Sequence, residues 1–293
     1  MAQLRIGTCS WKYPSWAGLV YSAAKGINYL EEYARKYDTV EVDQWFWSLF
    51  EGSAPRLPNP SDVEEYRRSV PAGFRFSVKV PNSLTLTHFQ TRSKTAPLVP
   101  NPHFLSVELF CEFLSSLDPL REVLGPLIFQ FEYLNRRKMS GPDEFRERLA
   151  EFLGQIPKGF EYAVEIRNQN YLSEAHFRFL VGHGLIPVLL QGYWMPPIAE
   201  VYSAWRTSLL QARAVVIRLH GPDREGMEKD TGGRWDRLIV RRDEELRDIV
   251  AMVEELLGAG VNVYVNVNNH YEGSAPFTVE RIVALLGGAE PST

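Results

Sequence analysis

Cysteine, histidine, positive charge and long apolar runs are all scarce in this sequence. Its two cysteines, Cys9 and Cys111, make neither a disulfide framework nor a zinc site. Cys9 sits at a strand end, where a small packing residue is a better reading than a nucleophile. Acidic residues outnumber basic ones, 36 to 32, for a net charge of −4. Broad nucleic-acid binding needs a basic face and is not expected, although a nucleic-acid end in a small basic pocket stays open. No apolar run approaches a membrane span, and the N-terminus does not have the basic-then-apolar layout of a signal peptide. The expectation is a cytoplasmic protein with no membrane partner. No internal repeat, linker or low-complexity tract marks a second domain, and nothing sets an oligomeric state.

What the sequence does have is regular alternation. Of its 293 residues, 45% are hydrophobic and 23% charged, an ordinary globular composition. Short β-rich runs fall at 4–10, 39–44, 74–80, 126–132, 161–168, 186–192, 214–221 and 261–269. Longer helical stretches separate them, several ending in Gly or Pro. A strand followed by a helix eight times predicts a single (β/α)8 TIM-type barrel over 1–293, with its core at about 4–287. An open doubly wound sheet fits eight regular units less well. The stretches after the third strand (82–104, with His88, Arg92, Lys94 and His103) and after the seventh (223–237) are read as long loops.

In such a barrel one side of each strand meets the helices and the other meets the axis. Sorting residues by parity puts Val40, Val42, Phe76, Val78, Phe129, Phe131, Val164, Ile166, Ile217, Leu219, Val263, Val265 and Val267 on the helix side. The other side reads Glu41 and Asp43, Ser77 and Lys79, Gln130 and Glu132, Glu165 and Arg167. It continues with Gln191, with Arg218 and His220, and with Asn266 and Asn268. A structural barrel interior is normally packed with Val, Ile and Leu, and each buried charge costs several kcal/mol before pairing. A polar ring near the strands' C-terminal ends therefore reads as a site, with buried ion pairs as the plainer explanation for any single member.

The ring's chemistry suits an anionic ligand. Lys79, Arg167 and Arg218 are expected to hold phosphate or carboxylate oxygens. Glu165 and His220 are the candidate catalytic pair for proton transfer. Glu41, Asp43, Gln130 and Glu132 complete the walls, and Asn266, Asn268 and Asn269 are expected to hydrogen-bond hydroxyls or a base edge. Trp11 and Trp235, among many aromatics just past the strand ends, are candidates for stacking on a sugar or base, though most such rings pack loops onto the barrel. The expected function is a hydrolase-like enzyme for phosphoester or glycosidic bonds, acting on a small, phosphorylated sugar- or nucleotide-like substrate. A sugar isomerase or lyase step fits the same residues. So does a non-catalytic binding module, which needs the cations but no proton-transfer pair, and the blandest alternative is a scaffold of buried ion pairs.

The segments "IGTCSWKYPSW", "VEVDQWFW", "FSVKVP", "LGPLIFQF", "AVEIRN", "IRLHGP" and "VNVNNHYEGSAPFT" resemble, in order, the YecE-like family catalogued as domain of unknown function 72. The resemblance spans nearly the whole chain. It implies a divergent TIM barrel akin to sugar isomerases and an apurinic endonuclease, and it implies a site without naming a reaction. Two stretches depart from the family pattern: "DQWFW" stands where Asn-Ser-Thr-Phe-Tyr is usual, and "LLQGYW" where many members carry an acid. Those similar barrels bind metal through clusters of His, Asp and Glu. Here only His220 of six histidines falls in the ring. Glu41, Asp43, Glu132 and Glu165 offer oxygens to Mg²⁺ or Mn²⁺, but Lys79 and two arginines compete for them. No resident metal or other cofactor is expected.

Overall fold

The β-rich runs form β1 (Leu4–Cys9), β2 (Thr39–Val42), β3 (Arg75–Lys79), β4 (Leu124–Gln130), β5 (Tyr162–Glu165), β6 (Ile186–Gly192), β7 (Ala214–Gly221) and β8 (Asn262–Val267). In the computed structural model, which describes residues 2–90 and 97–288, they pair in sequence order, all parallel, and β8 closes on β1. Arg92 and Lys94 lie outside the described residues.

Helices α1 (Tyr29–Tyr33) and α2 (Pro60–Ser69) follow β1 and β2. Short α3 (Asn82–Thr85) and then α4 (Val107–Ser116) follow β3, and α5 (Pro142–Gln155), α6 (Glu174–Gly182) and α7 (Ile198–Leu209) follow β4, β5 and β6. After β7 come α8 (Arg224–Thr231) and α9 (Asp243–Gly258), and α10 (Ala275–Leu286) follows β8. The stretches read as long loops thus carry α3 and α8, each over the barrel mouth. The start of α8 is fixed by Asp223, whose carboxylate accepts the Gly226 N–H at 2.9 Å. Asn28, Ser106 and Ser173 do the same for α1, α4 and α6.

Parity works as expected on most strands. Every residue assigned to the helix side is buried in the main apolar core. The axial side is divided along its length. Its lower part is a separate apolar plug of Ile128, Ala163, Ile186, Val188, Ala214, Val216 and Tyr264. The polar ring begins one step higher, with Arg218 paired to Asn266 across β7–β8 and Gln130 to Glu165 across β4–β5. The plug floors the site with a dry surface, so polar groups above it cannot be solvated from below.

Gln191 corrects the parity assignment. Leu190, not Gln191, pairs with Arg218 and shares its side, while Gln191 pairs with Leu219 and points outward. There its Oε1 accepts the Ile198 N–H at the start of α7 (2.8 Å) and its Nε2 donates to Glu245 of α9 (2.7 Å). A polar residue holds a helix-side place because it supplies an acceptor that a helix start requires. Trp205 lies half-buried on α7, stacked on Phe177 of α6 with centroids 6.3 Å apart, which makes it a helix-packing residue.

His176 on α6 is 2% exposed, packed near Phe145 and Phe177, and its Nδ1 has no hydrogen-bond partner among the described residues. Burial, with Arg146 adding to it, lowers its pKa from 6.5 to about 4. The unfolded chain therefore binds a proton before the folded one does. The full stability contribution is present above pH 6.5 and is lost as pH falls through that window to 4. The expected loss is about 3 kcal/mol. In urea titrations at pH 7 and pH 4, His176→Leu should lose correspondingly less stability than the wild type. Equal losses would show that His176 is not the acid-labile group.

Candidate active site

Arg218, at 1% exposure, is the centre of the ring. Its Nε donates to Glu41 Oε2 (2.7 Å) and its Nη2 to Glu41 Oε1 (2.6 Å), a bidentate fork. Its Nη1 donates to Gln130 Oε1 (3.1 Å) and to Glu165 Oε2. Glu165 is fully buried, and its other oxygen accepts from Arg167 Nε at 2.9 Å. Asn266 Nδ2 donates to Glu41 Oε2 at 3.3 Å. One guanidinium thus ties together four strands: β2, β4, β5 and β7.

Above this network lies a cavity of about 380 Å³ at the C-terminal ends of the strands. Of the candidates from the sequence, Glu41, Asp43, Lys79, Gln130, Glu132, Arg167, Arg218, His220 and Asn268 line it together. Five others do not. Glu165 and Asn266 are sealed beneath it by the Arg218 network. Asn269 is buried with its Oδ1 on the Ala275 N–H (2.9 Å), where it caps α10. Trp11 is buried edge-on against Tyr66, centroids 4.9 Å apart. Trp235 is buried and meets His270 edge-on at 4.8 Å. Trp11 is thus packed away from this cavity, and Trp235 lines a separate surface pocket with Tyr13, Pro14 and Ser15.

The groups that remain accessible differ in how they are held. Arg167 is anchored by its Nε, and its guanidinium carbon lies 4.8 Å from the Tyr193 ring centroid. Lys79 has its Nζ 3.7 Å from the Phe46 ring centroid, and among the described residues it makes no ion pair or hydrogen bond. Burial and then the charge of Arg218 lower its pKa to about 8, against the raising influence of Glu41, Glu165 and Asp43. Burial and the charge of Glu41 raise the pKa of Asp43, with Lys79 and Arg218 opposing.

His220 has Nδ1 3.2 Å from Tyr193 Oη and Nε2 3.8 Å from Cys9 Sγ. Burial, followed by the charges of Arg218, Arg167 and Lys79, pushes its pKa well below the ordinary value, so the ring is neutral at pH 7. Glu165 is the opposite case. Burial resists its charge, but Arg218 and Arg167 win and lower its pKa to about 2. It is a carboxylate with both oxygens committed to arginines, held in its charged form near neutrality.

The carboxylates expected to suit Mg²⁺ or Mn²⁺ do not converge. Glu41 and Glu165 turn to arginines, and Glu132 pairs with Lys138 while accepting from Thr87. Cys9, Glu41 and His220 do bring ligand atoms within 4.8 Å of one another. However, Arg218 holds both Glu41 oxygens, and burial and Glu41 raise the thiol pKa well above normal, so this donor set fits a divalent cation poorly.

The lining includes residues that sequence reasoning did not select as site residues: Tyr13, Phe46, Tyr193, Arg224 and His270. The available signal was position, since four lie in loops just past strand ends and Arg224 opens α8 just past β7. His270 Nε2 is 3.1 Å from Glu228 of α8, which also accepts from Arg224 Nε at 2.8 Å, so α8 is tied to the loop after β8 at the cavity rim.

A family model described as "Protein of unknown function DUF72" matches residues 5–293. The chain is 29% identical to the "UPF0759 protein YecE" of Escherichia coli K12 over 180 residues, which is 61% of this chain and 54% of that protein. The chain therefore spans about half the length of that relative. Among solved structures, a DUF72 family protein of Enterococcus faecalis V583 superposes with a TM-score of 0.68 at 20% identity, covering 97% of this chain and 96% of the other. One from Thermotoga maritima MSB8 gives 0.67 at 22%, covering 97% and 99%. At those identities the likeness establishes the shared barrel.

Proposed function

The chain belongs to the family of unknown function DUF72, and on that premise we propose that it is an enzyme acting on a small, phosphorylated sugar- or nucleotide-like anion bound at the barrel mouth. The observation that carries this reading is the division of labour among the cations. Arg218 spends its donors on Glu41, Glu165 and Gln130, whereas Lys79 faces the cavity with no acceptor among the described residues and Arg167 is anchored at the wall through its Nε. Lys79 and Arg167 are thus the anion-binding groups, and Arg218 is the keystone that holds the wall behind them. A half-buried lysine without an acceptor among the described residues is most simply explained by a ligand that supplies the oxygens.

Proton transfer falls to Asp43 and His220. Burial and the charge of Glu41 raise the Asp43 pKa, so it is the carboxyl that a bound anion protonates and that then serves as acid; neutral His220 serves as base. Hydrolysis of a phosphoester or glycosidic bond is the reaction this pair suits best. The same pair performs isomerisation if no water is admitted.

The charge balance makes a prediction. Glu41, Asp43 and Glu165 oppose Lys79, Arg167 and Arg218, so the cavity region is neutral before an anion arrives. Adding one favours protonation of Asp43. Calorimetric titration with a sugar phosphate, run in buffers of different ionisation enthalpy, should show proton uptake on binding, and Asp43→Asn should abolish it. Thermal-shift assays with the same ligand should show stabilisation that Arg167→Ala and Lys79→Ala each remove. A shift that survives both substitutions would overturn this reading.

A further inference from the structure

We propose that Lys79 is a covalent nucleophile and that the substrate class is an anion bearing an aldehyde or ketone, which it holds as a Schiff base. This deepens the anion reading and rests on it. Lys79 is the last residue of β3, on the axial side, with its Nζ against the face of Phe46 and the cavity in front of it. The other cations lining the cavity are engaged: Arg218 by two glutamates, Arg167 by Glu165, Arg224 by Glu228. Lys79 alone of these four is without an ion pair among the described residues, although Glu41, Glu165 and Asp43 act on it electrostatically. A guanidinium in that position stays charged and unsatisfied. A lysine resolves the same difficulty by releasing its proton, and the free amine is then a nucleophile.

The surroundings support this. Burial and Arg218 lower the Lys79 pKa to about 8, so at pH 8 roughly a hundredfold more of it is amine than for a surface lysine. Arg167 is placed to hold the substrate's anionic group while Nζ attacks the carbonyl carbon. The N–C bond forms, the carbonyl π electrons move to oxygen, and the oxygen takes a proton from the Asp43 carboxyl to give the carbinolamine, leaving Asp43 as a carboxylate. Asp43 accepts the proton that nitrogen sheds and returns it to the carbinolamine hydroxyl. Water leaves, and the iminium remains on Lys79. No oxidant or reductant is needed. The resulting cation sits beside Glu41, Glu165 and Asp43, whose charges are already arranged there. His220, neutral and in the same cavity, can then take a proton from the carbon next to the iminium.

The test uses dihydroxyacetone phosphate, which has both the anion and the ketone, and sodium borohydride at pH 8, followed by peptide mapping by mass spectrometry. The expected result is a reduced adduct on the peptide containing Lys79, at least about tenfold above any surface lysine. It should be lost in Lys79→Arg and suppressed by excess glycerol 3-phosphate. Melting curves with glycerol 3-phosphate, which has the anion but no carbonyl, run alongside. A melting shift without an adduct at Lys79 would overturn the Schiff-base proposal and leave the anion reading in place. Neither shift nor adduct would overturn both. An adduct at Lys79 no more abundant than at surface lysines counts against the proposal as well.

Discussion

Replacing Arg218 with leucine should lower the folding free energy by about 3–5 kcal/mol, read as a fall in the urea midpoint at pH 7. The substitution leaves Glu41 and Glu165, both fully buried, without their main partner. The loss comes from two stranded carboxylates rather than from the worth of the pairs themselves. Two further results follow from that cause. Lowering the pH should narrow the gap between variant and wild type, because the stranded carboxyls can then be buried neutral. Adding Glu41→Gln and Glu165→Gln to Arg218→Leu should recover part of the loss, although each single substitution is harmful. If the triple variant were simply the sum of the singles, the groups would not be acting as one network. By contrast, removing the exposed Arg35–Glu31 pair should change stability by only about 0.3–0.5 kcal/mol.

The second large effect is expected at Gly192. Its φ is +129°, a backbone conformation that L side chains rarely adopt, and an added Cβ would lie 2.3 Å from the Gly221 carbonyl oxygen. Strain and overlap together put Gly192→Ala at roughly 2–6 kcal/mol of destabilisation. The consequences extend beyond stability. Gly192 directs the chain into Tyr193, whose N–H donates to Gly221 O at 2.9 Å and whose hydroxyl meets His220. Tyr193 itself has φ +56°, so the turn is under constraint at two successive residues. Any ligand response of the cavity should therefore weaken in Gly192→Ala beyond what lowered stability explains. A variant that melts lower but binds a sugar phosphate with unchanged affinity would show that Tyr193 tolerates displacement.

The barrel was legible because strands repeat every two residues and helices do not, so eight runs could be sorted by side without knowing any contact. The same rule brought Glu41, Lys79, Gln130, Arg167, Arg218 and His220 to one cavity. It failed at Gln191 because polarity was taken as a sign of facing inward, whereas a helix start can also require an acceptor on the outer side. Parity says which way a side chain points, not what it meets. Arg218 and Arg167 are equivalent in sequence terms, yet one is consumed by carboxylates and the other stands at the cavity wall. Trp11 and Trp235 lie in loops, where no period constrains direction, so their burial against Tyr66 and His270 had no signature to read.

The Arg218 network also has a consequence for the order of events during synthesis. Glu41 precedes its partner by 177 residues and Glu165 by 53. At about 5–20 residues per second, the Glu41 carboxylate waits roughly 10–35 s before Arg218 has been made. Until then, curling β2 through β5 into their final arc would bury Glu41 without the guanidinium that pairs with it and leave Glu165 with Arg167 alone. Early strands should therefore remain splayed on the ribosome, with the seam open and the carboxylates in water. The counterion for Glu41 thus arrives on β7, one strand before the β8–β1 pairing that closes the barrel.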